Sequence, residues 1–200
     1  MFKKSLAVVL GLLLVVVAFT GCAKAPQAVV DSTKAALDAA KAAEADRYLP
    51  TEFRAAQDSL NAATTEIETQ NAKFALLRSY KKAQASLDAA TQQATAVTAK
   101  VADAKAAVKA EVEQKMTELT AAVDEAGKLL KKAPRGKESR EVLTAIKADI
   151  DAVVAAQPEI AKTVESGDFL TAKEKVNASL AKIKSVAEEL KAAIEMKKGK

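Results

Sequence analysis

The sequence predicts an all-α fold, an elongated antiparallel helical bundle, and three observations carry that reading. Alanine supplies 46 of the 200 residues. It has the highest intrinsic helix propensity, and over long windows that preference becomes informative. Past residue 21, glycine occurs only at Gly127, Gly136, Gly167 and Gly199, and proline only at Pro26, Pro50, Pro134 and Pro158. Apolar residues recur in alternating steps of three and four, the mark of one buried helical stripe, and no stretch shows the period of two expected of a strand.

Taken in order, residues 1–21 read as a secretory leader. Lys3 and Lys4 give a basic start, and Leu6 to Ala18 is a charge-free apolar run of 13 residues. That run is too short to span a bilayer as a helix but suits a signal segment. Residues 22–27 form a short tether, reaching roughly 20 Å when extended. A first helix is expected from about Val29 to Tyr48, with Leu37, Ala40 and Ala43 on one stripe. Pro50 interrupts it, because proline disfavours helical geometry in the residue before it, and Pro50 or Thr51 then opens a second helix. Phe53, Ala56, Leu60, Ala63 and Ile67 mark the buried stripe of that helix. Gln70-Asn71 is the expected turn, since asparagine tolerates left-handed geometry at a helix end.

From Ala72 to Ala133 there is no proline and one glycine, so the pattern predicts a single long helix. Leu87, Ala90, Ala94, Val97, Val101, Ala104 and Val108 keep a heptad spacing. Val112 and Met116 follow at steps of four before Leu119, Val123, Ala126 and Leu130 restore the alternation. Four extra residues make a stutter that rotates the apolar seam around the helix. Pro134-Arg135-Gly136 ends this element. The next is expected from about Ser139 to Glu165, with Leu143, Ile146, Ile150, Val153, Ile160 and Val164 on its stripe and Pro158 kinking or restarting it. Gly167 stops that helix and Asp168 caps the last one, about Phe169 to Met196, which buries Val176, Leu180, Ile183, Ala187, Leu190 and Ile194.

These elements group into two helical units, 28–108 and 109–200, each with three helices and sharing the long helix of about 72–133. Lys81–Leu87 is similar to Glu174–Leu180 in sequence, which fits either an internal duplication or chance likeness between alanine-lysine helices. The arrangement resembles spectrin-type three-helix repeats in architecture alone.

Cys22 is the sole cysteine, so it makes no internal disulfide. The residues leave three fates open: modification, a thiol exposed or paired between molecules after an ordinary cleaved leader, or part of an uncleaved anchor. Phe19-Thr20-Gly21-Cys22, at the end of the apolar run, resembles a bacterial lipobox, with Phe19 where leucine is usual. The resemblance implies that Cys22 is lipidated and becomes the first residue of the mature protein. Ala23 follows it, where lipoproteins kept at the inner membrane carry aspartate, so the resemblance further implies the periplasmic face of the outer membrane of a Gram-negative bacterium. Pro50-Thr51-Glu52-Phe53, with Ala56, Leu60, Ala63, Phe74 and Ala83, is similar to a family of small alanine-rich lipoproteins. Their helical domain, of unknown function, has a tetratricopeptide-like character. That likeness covers about Ala36 to Ala96 and brings no catalytic residues. Family members often have Gly-Asp or Gly-Asn before the aromatic. Here Asn71-Ala72-Lys73 precedes Phe74, and Ser166-Gly167-Asp168-Phe169 fits that pattern better.

Removing the leader takes Lys3 and Lys4 with it and leaves 29 basic against 26 acidic side chains. The charges alternate rather than gather, and with two tyrosines and no tryptophan they lack the basic, aromatic-lined face of a nucleic-acid binder. There is no histidine, no glycine-rich phosphate loop and no metal-ligand spacing, so neither an enzyme nor a cofactor is expected. The pairs Asp124-Glu125 and Glu188-Glu189 are adjacent and point apart on a helix. Glu111, Lys115 and Glu118 share a face, as surface ion pairs do. The expectation is a non-catalytic envelope scaffold held to a membrane through acyl chains on Cys22, with a protein or cell-wall partner. One alternative is a helical carrier for an apolar ligand or lipid. Another is attachment to peptidoglycan through Lys200, similar to the wall-linked lipoproteins of enteric bacteria.

Overall fold

The computed structural model describes residues 24–136 and 139–198, and among them every regular element is helical. The expected all-α helical bundle is what the chain forms. In order, the helices are α1 (Gln27–Ala42), α2 (Ala45–Tyr48), α3 (Pro50–Asn71), α4 (Lys81–Lys132), α5 (Arg140–Glu165) and α6 (Phe169–Lys198), with a short 3-10 turn at Ala75–Leu77. The chain divides into two compact units between Ala102 and Asp103, inside α4.

In the first unit, α1, α3 and the opening half of α4 close a narrow core. Leu37, Ala40, Ala45, Phe53, Ala56, Ala94, Val97 and Val101 form one cluster, and Val30, Ala63 and Leu87 another. The members pair in an order that sets direction. Early α1 meets late α3 and early α4, whereas late α1 meets early α3 and later α4. So α1 runs parallel to α4, and α3 runs against both. Two polar side chains of this unit are buried, Gln70 at the end of α3 and Thr33 between α1 and α4. Thr33 is fully buried, with its hydroxyl 2.8 Å from the Val29 carbonyl and 2.9 Å from the Thr91 hydroxyl.

Two expectations for this unit need correcting. The helix drawn from Val29 to Tyr48 is broken at Glu44, which takes a left-handed φ of 70°. The break reorients the chain so that Ala45 is fully buried in the core cluster. Glu44 also ends α1 through its N–H to the Lys41 carbonyl at 2.8 Å, and its carboxylate pairs with Arg47 at 2.6 Å. The second correction concerns Ala72. The helix does not resume there: Ala72 to Tyr80 is an irregular connection, and α4 begins at Lys81. Asn71 is the last residue of α3, and the following Ala72 has ordinary right-handed geometry.

In the second unit, the closing half of α4 packs with α5 and α6 around a larger aliphatic core. Val112, Leu119, Ala126, Ile146, Ile150, Val153, Ile160, Val176, Leu180, Ile183 and Leu190 belong to it. Along α4 the buried positions pass from a three-four alternation ending at Val101 to Val112, Leu119, Ala126 and Ala133 at steps of seven. Ala104 and Val108 between them are only half-buried, as a seam changing face requires. Pro158 lies inside α5 without ending it. Proline leaves the carbonyl four residues earlier without its helical donor. That residue, Val154, is 46% exposed, so water can serve it.

Between α5 and α6, Gly167 (φ 84°) donates to the Val164 carbonyl and Asp168 to the Thr163 carbonyl. This is the paired closure of a helix end by a left-handed residue, a geometry that favours glycine. Asp168 then caps α6 through the Thr171 N–H. The Gly-Asp stop and start read from the sequence is present.

Candidate functional site

Cys22, the one site residue named by the sequence, lies outside the described residues, as do the leader and Lys200. The structure does show which end of the first unit the chain enters from. Lys24–Pro26 is non-helical, and α1 begins at Gln27. Val30 packs with Ala63, about two turns before the end of α3, and with Leu87 in the second turn of α4. Thr33 Oγ1 lies 3.4 Å from the Leu87 carbonyl. Because α1 and α4 are parallel, Gln27 is level with the first turn of α4.

The connection between α3 and α4 occupies that same end. A set of hydrogen bonds builds it, with no glycine or proline. Arg78 donates from Nε to the Lys73 carbonyl at 3.0 Å and from a terminal nitrogen to the Asn71 carbonyl at 2.8 Å, closing the turn on itself. Gln70, 6% exposed, takes the Ser79 N–H on its amide oxygen and donates to Glu66. The buried Tyr80 hydroxyl bonds Asn71 Oδ1 at 2.5 Å. Arg78, Gln70 and Tyr80 thus tie down the base of the turn.

The crest is apolar. Phe74, Leu76 and Leu77 are 71%, 70% and 72% exposed, three of the six large hydrophobics that stand out among the described residues. Lys73 and Arg78 flank them, and Lys81 and Lys82 open α4. Residues 69–87 contain these four cations and no carboxylate. Of the nearby acids, Glu66 is paired with Lys82 at 3.6 Å, and its carboxyl is held below its ordinary value. The Gln70 amide is the main cause and Lys82 adds to it.

Sequence reasoning placed Phe74 in a family pattern but drew the whole segment as helix. The available signal was an apolar Phe-Ala-Leu-Leu run, bracketed by cations, directly after a helix end.

Elsewhere the charged groups make surface pairs. Glu111 bonds Lys115 at 2.9 Å, and also Lys173 of α6 at 2.7 Å, a cross-helix partner that helical spacing does not reveal. Its carboxyl is lowered first by Lys173 and then by Lys115. Glu118, assigned to that face, takes the Gln114 amide at 3.4 Å instead. Lys191 joins Glu125 at 3.1 Å and Glu188 at 3.2 Å, which raises its pKa, chiefly through Glu125. A groove beside the α4–α5 connection is floored by Leu130 and Leu143 and edged by Arg135, Arg140 and Lys147. Among the described residues, no three His, Cys, Asp or Glu side chains gather in a way that would hold a metal, and no helix is long and apolar enough to cross a membrane. No protein-family model, curated protein or solved structure matches this chain.

Proposed function

We propose that this chain is an exported lipoprotein and a non-catalytic scaffold of the bacterial envelope, held by acyl chains on Cys22 at the periplasmic face of the outer membrane. The observation that carries the reading is the leader: a basic start, a 13-residue apolar run and Phe19-Thr20-Gly21-Cys22 at its end. Each buried methylene of an acyl chain contributes about 0.8 kcal/mol, so two chains suffice for stable anchoring. With only Lys24–Pro26 before α1 among the described residues, the helices ride close to the attachment point. Their mixed-charge surfaces would meet a protein or the wall.

Mass spectrometry of the processed N-terminus tests this. A cysteine carrying acyl chains at residue 22 is the expected result, and Cys22→Ser should abolish both the modification and membrane retention at high salt. An unmodified Cys22 thiol, or a serine variant that still sediments with membranes at high salt, would overturn it.

A second reading draws on the groove at Leu130 and Leu143, whose basic rim suits an amphiphile with an anionic head. A stoichiometric lipid recovered from the purified chain, and lost in Leu143→Arg, would favour a carrier over a scaffold.

A further inference from the structure

The α3–α4 connection combines two properties that arise independently. Its crest is apolar: Phe74, Leu76 and Leu77 are each about seven-tenths exposed on a turn whose base is fixed by Arg78, Gln70 and Tyr80. Such a cluster is costly to leave in water unless it has a partner. Its fringe is cationic, with Lys73, Arg78, Lys81 and Lys82 beside it and exposed Lys24 at the same end. The carboxylates of this end, Asp31, Glu66, Glu68 and Asp88, sit back on the helix shafts, where Asp31 takes the Gln27 amide, Asp88 the Gln84 amide, and Glu66 is engaged by Lys82 and Gln70. The placement is the third fact. α1 starts level with the first turn of α4, so Lys24–Pro26 lie at the same end of the unit as this crest.

We propose that the Phe74–Leu77 turn inserts into the surface of an anionic lipid bilayer, with the surrounding lysines on lipid phosphates. Apolar side chains that enter the acyl boundary beneath a ring of cations are the usual chemistry of interfacial binding. The proposal rests on the lipid-anchored reading for what brings this end to a membrane. It adds a second contact, which orients the first helical unit with its α3–α4 end down. A protein partner would also accept an apolar crest, but it gives no reason for the cations or for the shared end with the tether.

The test removes the acyl chains. The core contacts of the first unit begin at Val29, so the unlipidated chain from residue 22, carrying Cys22→Ser, retains them. It is mixed with vesicles of phosphatidylglycerol and phosphatidylethanolamine, or of phosphatidylcholine alone, at low salt. Sedimentation with the anionic vesicles should exceed that with the zwitterionic ones at least tenfold and weaken as salt rises. Replacing Phe74, Leu76 and Leu77 together by serine should lower binding at least tenfold, with helicity by circular dichroism unchanged because all three are exposed. Lys73→Gln with Lys81→Gln should lower it several-fold. Val142→Ser, an exposed apolar residue of α5, should change nothing. An environment-sensitive dye on Leu76→Cys should shift to the blue on anionic vesicles.

Equal binding to both vesicle types, or serine variants that bind as well as the parent, would overturn the proposal. So would a blue shift that follows protein concentration without vesicles, which would mark contact between proteins. Failure of acylation at Cys22 would leave these results untouched, so the two readings fail separately.

Discussion

The two helical units use different materials for the same task. Of the fourteen buried apolar residues in the first unit, seven are alanine and five are branched aliphatics. Of the fifteen in the second, four are alanine and eleven are branched aliphatics. A buried alanine removes far less apolar surface from water than leucine or isoleucine, at roughly 25 cal/mol per Å². The first unit therefore depends more on local helix propensity and on specific polar contacts, Thr33, Gln70 and Tyr80 among them. The second depends on packing volume. The difference teaches that alanine-rich helices can be joined into a unit with little apolar bulk if hydrogen bonds define where they meet.

The largest expected effect breaks the second unit's side of the comparison. Ile160→Ala in the aliphatic core should cost about 3–4 kcal/mol in denaturant melts, as isoleucine truncations at fully buried sites do. The mirror experiment enlarges the first unit. Ala56→Leu, at a site with no exposed surface, should cost about 2 kcal/mol by overpacking rather than stabilise by added burial. Should that variant prove more stable than the parent, the alanine seam would be loose rather than close-packed. Gly167→Ala should cost about 1 kcal/mol, set by the positive φ alone, since nothing lies within 4 Å of the added methyl. Thr33→Val should cost a similar amount, about 1 kcal/mol, by taking the partner from the part-buried Thr91 hydroxyl.

The smallest effect is in pH. Glu66 and Glu111 are lowered from 4.5, so each contributes stability that is present above that value and lost as pH falls through the lowered pKa. Lys191 is raised from 10.5, so its contribution is present below that pH and lost as pH rises through the raised value. Both units should weaken slightly below pH 4.5, and the second should weaken again above pH 10.5. Thermal melts at pH 3.5, 7 and 11 check this, and equal alkaline loss in a Lys191→Met variant would contradict it.

How much of this was legible depends on what ends each element. Where backbone chemistry ends a helix, at Pro134 or Gly167-Asp168, the sequence shows it, because those residues change the cost of helical geometry directly. Stripes of Phe53, Ala56 and Ala63 or Ile146, Ile150 and Val153 were equally readable, since burial follows helical period. Glu44 and the Ala72–Tyr80 turn were not. Glutamate and alanine favour helix, and here tertiary contacts overrule them: Ala45 seats in the core, Arg78 and Gln70 satisfy backbone groups a helix would have used, and Tyr80 holds the Asn71 side chain. The crest of Phe74, Leu76 and Leu77 was hidden for that reason. Lys115 and Asn177, 2.6 Å apart, belong to the same class of long-range meeting.

Thr33 has one more consequence. Alanine methyls repeat with nearly the same shape at every turn, so a seam built from them has many shallow resting positions along its length. The face α1 turns to that seam is Val30, Thr33, Leu37 and Ala40, three of them larger than alanine. Sliding α1 by one turn toward the start of α4 would carry the Thr33 hydroxyl from Thr91 to the level of Leu87, whose side chain offers it no partner. The hydroxyl pair thus acts as a detent against slippage in that direction. It keeps α1 from riding further toward the crest, and so limits how far the tether stands past it.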